Sequence, residues 1–134
     1  MLKYIVLLVL LSTTNLLAAQ DTTKPKKDPK VLYGIATFYS NSFDGKKTAT
    51  GEIFRQNGYT AASNNIPLGT WVKVTNVKNN KTVTVKINDR MAPSMARKGR
   101  VVDLTRAAAE KLNFITSGTT KVKVTILGKK KPLQ

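Results

Sequence analysis

Two runs of this chain alternate apolar and polar residues with period two. Val83, Val85 and Ile87 interleave with Thr82, Thr84, Lys86 and Asn88, and Val122, Val124 and Ile126 with Lys121, Lys123 and Thr125. Successive side chains of a strand face opposite sides, so each run predicts a strand with one buried face. Trp71 to Val77 predicts a third strand, joined to Thr82–Ile87 through Lys78-Asn79-Asn80-Lys81, where asparagine tolerates the positive φ of a tight hairpin. Gly34–Tyr39, Tyr59–Ala62 and Val101–Leu104 read as three more strands. One helix interrupts them over Arg106–Leu112, with Leu104, Ala108 and Leu112 on one face and Asp103 or Thr105 as its cap. The expectation is a mainly all-β fold, a small antiparallel or mixed barrel. Closing the sheet hides edges that a cysteine-free domain cannot staple.

The flanks are of another kind. Lys3, the apolar run Ile5 to Leu11 and the small-residue exit Leu17-Ala18-Ala19 have the layout of an export signal over residues 1–19. The run is too short to span a bilayer, which takes about 20 apolar residues, so no stable membrane anchor is expected after cleavage. Residues 20–32 are a lysine- and proline-rich linker whose polar composition predicts disorder. One folded domain is expected over residues 33–128, with a basic tail over 129–134. The chain carries 23 Lys and Arg against 7 Asp and Glu, a formal net charge of +16. An exported basic domain meets anionic envelope polymers rather than nucleic acid, and its aromatics do not interleave with its basic residues as in single-strand binders. A periplasmic or secreted monomer is expected, without a lipid anchor because there is no cysteine to carry one.

Histidine and cysteine are both absent. Acid/base chemistry near neutral pH then falls to a carboxyl group or a lysine. No cofactor is expected, and no metal site, since the acids are scattered. Two carboxylates stand out: Glu52 in the loop Thr48-Ala49-Thr50-Gly51-Glu52, and Asp89 in Ile87-Asn88-Asp89-Arg90. Read from composition alone, Asp89 fits an ion pair with Arg90 or a turn cap as well as it fits catalysis.

Seven ordered segments carry a resemblance: Gly34-Ile-Ala-Thr-Phe-Tyr39, Thr48-Ala-Thr-Gly-Glu52, Tyr59-Thr-Ala-Ala-Ser63, Pro67-Leu-Gly-Thr70, Val72-Lys-Val-Thr-Asn76, Ile87-Asn-Asp-Arg90 and Arg100-Val-Val-Asp-Leu-Thr-Arg-Ala-Ala-Ala109. Together they resemble the rare lipoprotein A family. The resemblance implies a six-stranded double-psi β-barrel with one or two short helices, and a septal lytic transglycosylase of peptidoglycan. Asp89 and Glu52 fall on the family's catalytic carboxylates, and Asp103 on a second barrel aspartate of the same groove. Departures from the pattern are Ser63 where family enzymes place a histidine, and Met91 where they place a glycine after Arg90. The family's lipid-anchoring cysteine and separate glycan-binding repeat domain have no counterpart in this sequence.

The implied reaction cleaves the β-1,4 bond between N-acetylmuramic acid and N-acetylglucosamine and leaves a 1,6-anhydro end. One carboxyl group acts first as acid and then as base, and a second supports it electrostatically. On this reading Asp89 and Glu52 share those roles in either order. Asp103 and Ser63 support them, and Tyr39, Asn88, Arg90 and Arg100 contact glycan strands. The alternative is a non-catalytic, expansin-like module that binds glycan in the same groove.

Overall fold

The computed structural model describes residues 28–133. The expected leader and the linker up to residue 27 lie outside them. Six strands close into a barrel in the order β1-β5-β2-β4-β3-β6. They are β1 (Val31–Phe38), β2 (Thr60–Ala62), β3 (Trp71–Asn76), β4 (Thr82–Asp89), β5 (Arg100–Leu104) and β6 (Thr120–Gly128). The β1/β5 and β2/β4 pairs are parallel, and the other four are antiparallel. β1 starts two residues ahead of Tyr33, because Val31 and Leu32 pair with Thr125 and Val124 of β6.

The period-two runs fill the barrel. Val83, Val85 and Ile87 of β4 meet Val72 and Val74 of β3, Val102 and Leu104 of β5, and Val122 and Val124 of β6 in one core, each 4% exposed or less. Burying each such side chain stabilises the fold by about 1.5–3 kcal/mol. Asn80 takes φ 62° in the β3–β4 turn, the positive φ expected there. Helix α2 (Arg106–Lys111) plugs one end with Ala108 and Ala109. Thr105 caps it, its Oγ1 accepting from Ala108 N at 3.2 Å and donating to Gly58 O at 2.7 Å. The sequence left the cap open between Thr105 and Asp103; the structure gives it to Thr105 and leaves Asp103 uncommitted to the helix.

Two short pieces were not expected as helix: α1 (Pro93–Arg97), with proline in its first turn, and a 3-10 turn at Asn41–Phe43. At the start of the barrel, β1 presses on β5 so closely that a Cβ on Gly34 would collide with the Val101 side chain. Only glycine fits that contact.

Candidate active site

Asp103 reaches the site because β5 sends its neighbours Val102 and Leu104 into the core, which turns Asp103 to the opposite face. Asp89 gets there by a different route. Strict alternation from Val83, Val85 and Ile87 would send Asp89 into the barrel. A register shift intervenes: Ala61 pairs with Ile87, but Ala62 pairs with Asp89, so Asn88 is an extra residue on β4. Such a bulge re-aims the side chain that follows it. Ala62 also pairs with Asp103, and Asp103 with Thr37. Thr37, Asp103, Ala62 and Asp89 therefore form one rank across β1, β5, β2 and β4. The two carboxylate-bearing residues flank an alanine, their strands about 10 Å apart at two strand spacings.

Above this rank lies a cleft of about 460 Å³, with Tyr39, Asp89, Arg100 and Asp103 among its walls. Tyr39, Phe54, Ala62 and Met91 form a small apolar cluster beside it, with the Tyr39 and Phe54 rings stacked at 4.2 Å. The methyl of Ala62 leaves room there for the ring. Three donors converge on Asp89: Tyr39 Oη on Oδ2 at 2.7 Å, and the Ala49 and Arg90 backbone N–H groups on Oδ1, each at 2.9 Å. They hold the carboxylate in one orientation. Burial and the neighbouring Asp89 push the Tyr39 phenol far above its usual range, so Tyr39 is always a donor.

Asp103 accepts from Thr37 Oγ1 at 3.0 Å. Burial raises its pKa to about 6 and Asp89 adds to the rise, against the opposing effects of the Thr37 hydrogen bond and the Arg100 charge. The ion pairs among the described residues are Lys86–Glu52 and Arg106–Glu110, so neither cleft aspartate is tied up in one.

The other residues singled out by the sequence divide: Arg90 and Arg100 line the cleft, and Glu52, Ser63 and Asn88 are not among its walls. Glu52 is exposed, takes a hydrogen bond from Thr50 Oγ1 at 2.9 Å and sits 3.6 Å from Lys86 Nζ. Lys86 precedes Asp89 by three residues on β4, about 10 Å along the strand. Glu52 is not part of the cleft wall, although its loop supplies the Ala49 N–H that grips Asp89. Ser63 is fully buried, and its Oγ accepts from Asn65 N at 3.2 Å as the turn after β2 folds over. Asn88 is 2% exposed and its Oδ1 has no hydrogen-bond partner among the described residues. Arg90 does not pair with Asp89: its Nη1 donates to the carbonyls of Ser63 and Ile66 and ties down that loop. Arg100 stays in the cleft, its Nη1 3.1 Å from Met95 Sδ. Among the described residues no three His, Cys, Asp or Glu side chains gather as a metal site, and no helix is long and apolar enough to cross a membrane.

Thr37 and Ala62 were missed. Both lie inside motifs visible in the sequence, but their roles come from the parallel β1/β5 pairing and the β4 bulge, which leave no local signal.

Fold and cleft together define a class, the six-stranded double-psi β-barrels with an acidic groove. Within it, the family model described as lytic transglycolase matches residues 32–124, and the chain belongs to that family. It is 48% identical over 94 residues to the endolytic peptidoglycan transglycosylase RlpA of Pasteurella multocida, which covers 70% of this chain and 31% of that protein. It is 44% identical over 95 residues to the RlpA of Campylobacter jejuni, covering 71% and 34%. The chain thus spans about a third of the length of the curated relatives it matches. Among solved structures, the Streptomyces papain inhibitor superposes with a TM-score of 0.59 at 22% identity, over 75% of this chain and 96% of that one. A Clavibacter michiganensis expansin superposes with a TM-score of 0.59 at 19% identity, over 78% and 53%. These two likenesses are of fold alone.

Proposed function

We propose that this barrel is the catalytic domain of an exported endolytic peptidoglycan transglycosylase, with Asp103 as the proton-transferring residue and Asp89 as its electrostatic partner. The observation that carries the reading is the rank itself, which sets two carboxylates on one cleft with one of them, Asp103, held near a pKa of 6. A group of that pKa is available both as acid and as base near neutral pH. This shifts the second catalytic role from Glu52, which the family resemblance implied, to Asp103.

In the proposed step, protonated Asp103 donates to the oxygen of the MurNAc–GlcNAc bond. The C1–O bond breaks, and the departing GlcNAc leaves as its free 4-hydroxyl. Positive charge spreads over C1 and the ring oxygen, where the Asp89 carboxylate, fixed by its three donors, stabilises it. The muramic C6 hydroxyl then bonds to C1 and returns its proton to Asp103. No water enters, and the acid is restored. Arg100 contributes a cation on the cleft wall for the carboxylate of the lactyl group or of a stem peptide.

The test is mass spectrometry of digested sacculi. Wild type should release 1,6-anhydro muropeptides, and Asp103→Asn should lower the rate by about 10²–10⁴-fold, the usual contribution of a positioned acid/base. Glu52→Gln should retain most of the activity; a loss as deep as that of Asp103→Asn would return the second role to the loop carboxylate. Binding of sacculi by wild type without any new product would select the non-catalytic glycan-binding reading. Buried Ser63 cannot supply the titrating imidazole expected of a family enzyme, which favours that second reading.

A further inference from the structure

A second concavity, of about 520 Å³ and larger than the acidic cleft, lies on the flank formed by β3 and β4. Its walls include two aromatic rings, Tyr59 and Trp71, the hydroxyl residues Thr82 and Thr84, and the lysines Lys111 and Lys131. Tyr59 is 42% exposed, and Trp71 is partly exposed although it lies in a strand. Their spacing follows from the sheet. Thr60, next to Tyr59, pairs with Lys86, and Trp71 pairs with Lys86 from the other side. The backbones of Thr60 and Trp71 thus flank β4 about 10 Å apart, two strand intervals, and both rings reach the walls of the one concavity. Each ring carries an ammonium group over it: Lys111 Nζ lies 5.2 Å from the Tyr59 ring and Lys131 Nζ 5.9 Å from the Trp71 ring. The chain after β6 forms one wall, held by Lys129 Nζ donating to Leu68 O at 2.6 Å.

Aromatic side chains on one concavity suit the C–H faces of sugar rings, the threonines that share its wall suit hydroxyls, and the flanking lysines suit carboxylates. Among the described residues no acidic side chain lines the concavity. We propose that the Tyr59–Trp71 concavity is a second glycan-binding site, taking a carboxylate-bearing polysaccharide strand remote from the bond being cut. The identity of that polymer as peptidoglycan rests on the function proposed above. Thr84 and Asp89 share β4 and stand five residues apart, roughly 17 Å along the strand, so one long strand is able to engage this flank and the acidic cleft together. Occupation of both sites raises the effective concentration of the strand at the cleft.

Trp71 is the chain's single tryptophan, so its fluorescence reports on this flank and on nothing else. The experiment titrates wild type, Tyr59→Ala and Lys131→Ala with glycan strands freed of peptides by an amidase, following Trp71 emission. Turnover of a muramic-acid tetrasaccharide, too short to span both sites, is measured in parallel. Saturable change in wild type, with midpoints shifted about fivefold to tenfold in Tyr59→Ala and toward weaker binding in Lys131→Ala, and with tetrasaccharide turnover unchanged, is the expected result. No change in Trp71 emission, or identical midpoints in all three proteins, would overturn the site. Midpoints unmoved when neutral chitin oligomers replace the muramic strands would overturn its preference for carboxylates. If wild type yields no anhydro product while the Tyr59→Ala shift persists, the catalytic reading fails and this site stands.

Discussion

At the scale of single residues the chemistry turns on one proton. Asp103 has a folded pKa of about 6 against an ordinary 3.8. The folded chain therefore holds a proton there that the unfolded chain gives up between those values. Stability from this group is complete below about pH 4 and is lost as pH rises through 6. Asparagine keeps the uncharged state at every pH. Asp103→Asn should accordingly be more stable than wild type at pH 7, by about 2–3 kcal/mol, and equal to it near pH 3.5, as read from urea midpoints at the two values. On the proposed mechanism the same proton governs rate: the protonated carboxyl starts the reaction, so kcat/KM should fall as pH rises through about 6. Asp103→Asn should remove that limb along with the activity, whereas Arg100→Gln, which deletes a charge that lowers the Asp103 pKa, should move the limb to higher pH. A limb left in place by Arg100→Gln would place the titrating group elsewhere.

Between residues and the whole barrel stand the joints that hold its elements in register. Asn76 ends β3 inside the protein, 2% exposed. Its Nδ2 donates to Leu112 O at 2.8 Å beyond α2, and its Oδ1 accepts from Thr120 Oγ1 of β6 at 2.9 Å and from Lys78 N at 3.0 Å. One amide thus joins the hairpin, the helix end and the last strand. Asn76→Ala strands the Thr120 hydroxyl and should cost about 1–3 kcal/mol, seen as a lowered urea midpoint with an unchanged slope. The strands around this joint were legible because period-two runs report burial residue by residue. The Asn80 turn was legible because few residues accept a positive φ. Asp89 and Tyr39, which share the candidate cleft, were legible through the motifs that contain them. The cleft as an arrangement was not. Its aspartates meet only through the Asn88 bulge and the β5–β2–β4 order, and pairings between residues 26 to 43 positions apart leave no trace in local pattern. Helix α1 was hidden for another reason: five residues headed by Pro93 bury none of their number and show no apolar face to read.

For the molecule as a whole, the balance of charge decides how it meets a polymer. Six acidic residues fall within residues 28–133, and three of those, Glu52, Asp89 and Asp103, are held in hydrogen bonds at or beside the cleft. The remaining surface is dominated by lysine, and β3 and β6 carry Lys73, Lys121 and Lys123 along the barrel. Under the proposed function such a field draws an anionic strand from a distance, and the cleft then selects among bound strands by contact. The two contributions separate by ionic strength, since charges interact over about 10 Å at 0.1 M salt but only about 3 Å at 1 M. Retention on purified sacculi should therefore fall steeply between roughly 0.1 M and 1 M sodium chloride, while turnover of a saturating soluble tetrasaccharide, measured once the substrate is in place, should change little. Tyr59→Ala should lower retention at both salt concentrations, because ring stacking is not screened. Retention that ignores salt would assign capture to the two clefts alone and leave the +16 charge as a matter of solubility.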